Sequence, residues 1–253
     1  MRTMTEKDLN DIRQYFPLAD CLPAPDLHVS PEAARAFDHA FDDAVARGLN
    51  TVIEYDLPFP KYLFLDYLAD KRGLVMHGSL LQHLATLEPI RNSRDSSEFG
   101  DQPAIYATQD PLWALFFAVL DRTQLQGAIH NGAIWLKGDD GSLLRRYYYC
   151  IDIESLRRSP WKPGAIYLMP GDRFEPDPTQ VNVKVGPYTL LPAHWLCRSA
   201  LQPLARLMVE PHDFPFQNQV WGYDVAAMDK RMSSESIAGF PFLNDPEVYP
   251  IRP

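Results

Sequence analysis

"VMHGSL" (75–80) is an apolar run that stops on a histidine, a glycine and a serine, and its reading decides what the rest of the chain is taken to be. Alternate side chains of a strand face opposite ways, so His77 and Ser79 share a face, while Gly78 lets a flat ligand approach the main chain between them. The Gly78 backbone offers a donor and an acceptor and the Ser79 hydroxyl a further donor, a set that suits a carboxamide. The His77 imidazole is then left for a neighbouring sugar hydroxyl. Taken alone, the tripeptide reads more simply as a turn with a satisfied histidine.

The next strand and helix shift that balance. "AIYATQDPLWALFFAVLDR" (104–122) predicts a strand carrying Tyr106, then a helix with Asp110 as N-cap and Pro111 at its first position. Phe117 comes eleven positions after Tyr106, in the second turn of that helix. A helix folded back across the strand end would bring the two rings face to face around a flat heteroaromatic group. The competing reading makes Trp113, Phe116, Phe117 and Leu120 plain core residues at helical spacing.

A strand ending in His-Gly-Ser, a strand bearing Tyr, and an aromatic residue after ten intervening positions together resemble the ADP-ribosyltransferase superfamily, in its diphtheria-toxin and poly(ADP-ribose) polymerase branch, named for a His, Tyr, Glu triad. The resemblance covers residues 74–210. It implies that His77, Gly78 and Ser79 hold NAD and that Tyr106 and Phe117 stack on nicotinamide, Phe117 keeping the ring but lacking the hydroxyl of the family's tyrosine. It also implies a glutamate on a later strand that orients the ribose and stabilises its developing charge. Glu210, closing "LARLMVE" (204–210) before Pro211, is expected in that role; its other reading is an exposed glutamate at a strand end. Glu175 in "PGDRFEPDP" (170–178) and Asp213 are the substitutes. The segment is also similar to a group of bacterial proteins without a settled function, through "AIYATQDPLWALFF" and the "DFPF" at 213–216.

The loop of residues 88–102 carries Arg91, Arg94, Asp95 and Glu98, and Arg91 is expected to clamp the NAD diphosphate. The resemblance thus implies NAD as substrate, no metal, transfer of ADP-ribose to an unknown acceptor expected to be a protein, and release of nicotinamide. The alternatives are a non-catalytic module recognising NAD or ADP-ribose, and an RNA 2'-phosphotransferase, which would want several basic residues at the site.

Around this segment, "SPEAARAFDHAFDDAVARG" (30–48) predicts an amphipathic helix, with Ser30 as N-cap and Ala34, Phe37, Phe41 and Val45 on one face. A second helix starts near Pro60 and stops at Gly73. Strands are predicted at 74–77, 104–108, 132–137, 146–153, 164–169, 193–197 and 204–210. Many short strands around a single internal helix point to an α+β domain of two packed, mostly antiparallel sheets over residues 74–216. A helical segment, 1–73, is expected to dock on it. Residues 217–253 form a C-terminal tail of unknown role, with one short helix at "DVAAMDKRM" (224–232).

The composition excludes several classes. The 253 residues are 46% hydrophobic, enough for a full core, and 24 Lys plus Arg against 33 Asp plus Glu leave a net charge of -9. That balance disfavours non-specific nucleic-acid binding. Cys21, Cys150 and Cys197 have neither CxxC nor Cys/His metal spacing, and His83, His130, His194 and His212 read as surface residues or residues behind the site. "MRTMTEKDLNDIRQYF" at the start lacks an apolar stretch, and no run nears the roughly 18 apolar residues of a membrane helix. A cytoplasmic protein with no membrane partner is expected.

Overall fold

The computed structural model describes residues 20–90, 98–233 and 241–253; Arg91, Arg94 and Asp95 lie outside them. The Ser30 hydroxyl accepts the Ala33 N–H at 3.1 Å, and helix α1 (Pro31–Ala46) begins there, with Phe37 and Phe41 buried. Helix α2 (Lys61–Arg72) ends at Gly73, whose φ of 62° is the left-handed conformation that glycine adopts without strain. The two helices meet edge to face, Phe37 on Phe64 at 5.4 Å, and the Tyr67 hydroxyl donates to Asp38 at 2.8 Å.

The fold is α+β, with three sheets among the described residues. Six strands form the first: β1 (Leu22–Pro23), β6 (Leu143–Asp152), β5 (His130–Gly138), β10 (Tyr188–Leu191) and β9 (Lys184–Val185), with β13 (Trp221–Tyr223) parallel beside β6. The second runs β2 (Thr51–Val52), β12 (Ala205–Val209), β7 (Gly164–Pro170), β3 (Leu74–Ser79). The third runs β4 (Ile105–Ala107), β11 (Trp195–Cys197), β8 (Glu175–Pro176). Two sheets were expected. There are three because the histidine strand β3 and the tyrosine strand β4 touch through a single bridge, Met76 to Thr108, and then part. Their opposed faces enclose a small apolar core of Val75, Ala165 and Tyr167 against Ile105, Ala107 and Cys197.

Segments near both ends of the described residues are woven into these sheets. β1 pairs with β6 and β2 with β12, so the segment expected to be purely helical also supplies two edge strands. Residues 217–253 are more than a tail: β13 joins the first sheet, Ile251 bridges to Gly222, and buried Tyr249 donates to the Pro241 carbonyl at 2.7 Å. Helix α3 (Pro111–Val119) lies on the opposite face of β3 from the small core, over Leu74, Met76 and Ile166, and its Phe116 packs on Tyr149 and Phe214. Among the described residues, one more helix, α4 (Ile153–Arg157), is present within 74–216, where a single internal helix was expected, and α5 (Val225–Met232) forms where the short helix at 224–232 was expected. Among the described residues, no helix is long and apolar enough to cross a membrane.

Candidate functional site

The parting of β3 and β4 is set by hydrogen bonding. The Met76 N–H donates to the Thr108 carbonyl at 2.7 Å and the Thr108 N–H to the Met76 carbonyl at 3.0 Å. Main-chain groups of alternate strand residues point to the same side, so the N–H and C=O of Gly78 also face β4. The register of β3 on β7 runs unbroken from Leu74 opposite Pro170 to Ser79 opposite Ala165, which rules out a bulge. Yet among the described residues no strand pairing carries the ladder on from Gly78 to Tyr106, since β3 and β4 belong to different sheets and meet only at the Met76–Thr108 bridge. The Tyr106 carbonyl pairs with the Nδ1 of His77 instead, at 2.7 Å. A carbonyl only accepts, so Nδ1 carries the proton and Nε2 of the neutral ring keeps its lone pair. Burial pushes the His77 pKa below its ordinary value, the Tyr106 hydrogen bond opposes this, and the Arg122 charge adds to the lowering.

The space over Gly78 is not open to a ligand, contrary to expectation. A Cβ there would stand 2.0 Å from the Ala114 carbonyl oxygen and 2.8 Å from the Ala118 nitrogen, because α3 crosses β3 at this point. Gly164 on β7 meets the same helix, with the Ala118 carbonyl oxygen 1.9 Å from a Cβ. Both glycines admit the helix, and what Gly78 presents to the gap is its in-plane N–H and C=O. Ser79 is buried on the His77 face, where its Oγ accepts the Leu81 N–H at 3.1 Å and holds the turn out of the strand.

Tyr106 and Phe117 stand at the two ends of an arc of rings. Tyr106 lies 5.2 Å from His194, His194 lies 5.6 Å from Trp113, and Trp113 lies 6.4 Å from Phe117. Trp113 and Phe117, four apart on one flank of α3, are half-buried, whereas Leu112, Leu115, Phe116 and Leu120 are fully buried. Phe116 and Leu120 are thus core residues, while Trp113 and Phe117 pack against that core with part of each ring exposed. The Tyr106 hydroxyl donates to the Gln102 carbonyl at 2.7 Å and accepts the Gln102 N–H at 3.2 Å, which fixes the ring against the preceding loop. Sequence reasoning left His194 at the surface or behind the site and offered Trp113 as a core residue. They meet because β4 and β11 pair, Tyr106 opposite Leu196, and the one trace of this in the sequence is that positions 194 and 196 of one strand share a face.

The carboxylates are more scattered. In the second sheet Ser79 lies opposite Ala165 and Ala165 opposite Met208, so Glu210, two residues on, shares the face of His77 and Ser79. It is exposed, about 10 Å across the sheet from β3 and about 7 Å beyond the Ser79 row. Its N–H donates to Asp213 Oδ2 at 2.7 Å, and Lys61 Nζ meets the same oxygen at 2.8 Å, so Asp213 acts as a structural cap. Glu175 lies opposite Leu196 and Leu196 opposite Tyr106; it therefore shares the Tyr106 face, about 10 Å away across two strands. Its carboxylate pairs with Arg198 at 2.7 Å in an exposed ion pair, and Arg198 also donates to the Gln102 side chain at 3.1 Å.

Asp110 anchors the start of α3. Fully buried, it accepts the Trp113 N–H at 2.9 Å, the Trp135 indole N–H at 2.6 Å and the Tyr147 hydroxyl at 2.7 Å. Burial raises its pKa, and these donors and the Arg145 charge pull the other way. A cavity of about 430 Å³ is lined by Asp66, Asp70, Gln109, Trp135, Lys137 and Arg145 among others. Arg145 pairs there with Asp66 and lies 3.8 Å over the Trp135 ring, so the cavity's charges largely cancel. Among the described residues, no group of three His, Cys, Asp or Glu side chains could hold a metal ion. No family model, no curated protein and no solved structure matches the chain.

Proposed function

We propose that the protein is an NAD-dependent ADP-ribosyltransferase, which moves ADP-ribose from NAD to a macromolecular acceptor, expected to be a protein, and releases nicotinamide. The observation that carries this reading is the strand edge at Gly78 left unpaired past the Met76–Thr108 bridge: a donor and an acceptor side by side, facing the strand of Tyr106, with Phe117 on the helix that crosses β3. A carboxamide presents the matching acceptor and donor on one side of a flat ring. His77, held neutral with its Nε2 lone pair available, suits a ribose hydroxyl. Cleavage of the glycosidic bond builds positive charge on the ribose, and a carboxylate beside it stabilises that charge and can take a proton from the incoming nucleophile. Glu210 approaches from the His77 face and Glu175 from the Tyr106 face. No metal takes part in this scheme.

The second reading is a module that binds NAD or ADP-ribose without turning it over. It is favoured by the distance of Glu210 from β3 and by the engagement of Glu175 with Arg198. An assay of free nicotinamide with Glu210→Gln and Glu175→Gln separates the two. The amide keeps the shape and removes the charge, so an interaction made in the transition state shows as turnover lowered about 100-fold or more with little change in NAD affinity. We expect this of Glu210→Gln, with Glu175→Gln within a few fold. The reverse result moves the catalytic carboxylate to Glu175, and NAD binding without nicotinamide release in the wild type makes the protein a module.

A further inference from the structure

We propose that Arg122 is the anion-binding residue of this gap and holds the diphosphate of the dinucleotide, an inference that rests on the NAD reading above. Helix α3 ends at Val119, and the chain is then pinned by the Leu120 to Trp161 bridge and by the Asp121 N–H, which donates to the Pro160 carbonyl at 2.8 Å. This sets Arg122 near the Ser79 end of β3, where Ala118 and Ser79 both crowd Gly164. The neighbouring carboxylate is already engaged: Asp121 takes Lys162 Nζ at 2.6 Å, the Thr123 hydroxyl at 2.6 Å and the Gln124 amide at 2.7 Å.

Arg122 itself makes no side-chain hydrogen bond or ion pair among the described residues, although its side chain is exposed and its charge reaches the His77 imidazole. Loss of hydration lowers its pKa and no anion opposes the shift. A guanidinium left without a counter-charge among the described residues, its charge felt by an imidazole kept neutral, suits an anion that can accept a forked pair of hydrogen bonds. Arg122 comes five positions after Phe117, beyond the end of α3 at Val119, where Leu120 turns to extended backbone. In NAD, one ribose separates the nicotinamide from the diphosphate, so the ring lying at Phe117 and the phosphates at Arg122 match the order of the ligand.

The test is calorimetric titration of the full chain and of its Arg122→Gln and Arg122→Lys variants with NAD, ADP and nicotinamide riboside, each variant first checked for unchanged thermal unfolding. We expect Arg122→Gln to weaken NAD and ADP by about 10- to 100-fold, the worth of a charge-assisted pair, and to leave nicotinamide riboside within about 2-fold. Arg122→Lys, which keeps the charge but not the fork, falls between. Unchanged NAD affinity in Arg122→Gln overturns the proposal, as does a wild type that binds neither NAD nor ADP. Should ADP bind in an Arg122-dependent manner while nicotinamide riboside does not bind at all, the anion site stands and the nicotinamide slot fails.

Discussion

The His77 Nδ1–H donates to the Tyr106 carbonyl at 2.7 Å, taking the acceptor that the Gly78 N–H would have used had the ladder continued past Met76 and Thr108. One side chain thus keeps two strands apart and leaves a backbone edge open. In His77→Ala the carbonyl loses its donor, and burying it unpaired costs about 1–3 kcal/mol; closing the ladder onto Gly78 relieves that cost. We predict that the Gly78 amide, fast to exchange with solvent deuterium in the wild type, becomes protected in His77→Ala, while NAD affinity falls at least about 10-fold.

The same imidazole should titrate low. Its pKa in the folded protein is depressed by burial, with the Arg122 charge contributing, against about 6.5 in the unfolded chain. As pH falls below about 6.5 the unfolded chain takes up the proton first. The contribution of His77 to stability is therefore constant above that pH and is lost as pH drops toward the folded value. Nuclear magnetic resonance titration of the ring should give a midpoint below about 6.5, and Arg122→Gln should raise it.

Gly78→Ala and Gly164→Ala should destabilise sharply, since each new Cβ meets main-chain oxygen of α3 within 2.0 Å. Helix backbone cannot swing aside as a flexible side chain can, so the cost lies at or above the top of the ~1–3 kcal/mol range for overpacking. Urea unfolding should show a lower midpoint with an unchanged slope. A neutral outcome would mean that α3 does not seat on β3 as described.

Asp110 offers two carboxylate oxygens to three donors. Asp110→Asn keeps one acceptor oxygen and turns an N–H group toward the Trp135 indole or the Tyr147 hydroxyl, leaving buried groups mispaired. A loss of about 2–3 kcal/mol is expected by denaturant unfolding, against a change within about 0.5 kcal/mol for the exposed Glu210→Gln.

The elements of this fold were legible where local chemistry wrote them. Ser30 with Pro31 and Asp110 with Pro111 announced two helices, Gly73 stopped a third, and the long strands around Tyr148 and Tyr167 carried enough apolar residues to be found. The two-residue strands at Leu22 and Thr51 were not, because each is defined by its partner across the sheet and has no period of its own. His77, Tyr106 and Phe117 were singled out for their chemistry. Two things were hidden: that Gly78 is a glycine for the sake of α3, and that His194 and Trp113 lie between Tyr106 and Phe117. Both depend on contacts between segments distant in the chain, which no window of sequence contains.

The central claim is that nicotinamide sits against the Gly78 edge between Tyr106 and Phe117. It is tested most directly by monitoring the backbone amide of Gly78 in the magnetic resonance spectrum as NAD is added. We predict that this amide shifts downfield by one of the largest amounts in the chain as it donates to the carboxamide oxygen, and that Phe117→Ala abolishes the shift while leaving the fold intact. A Gly78 amide that stays in place at saturating NAD contradicts the claim.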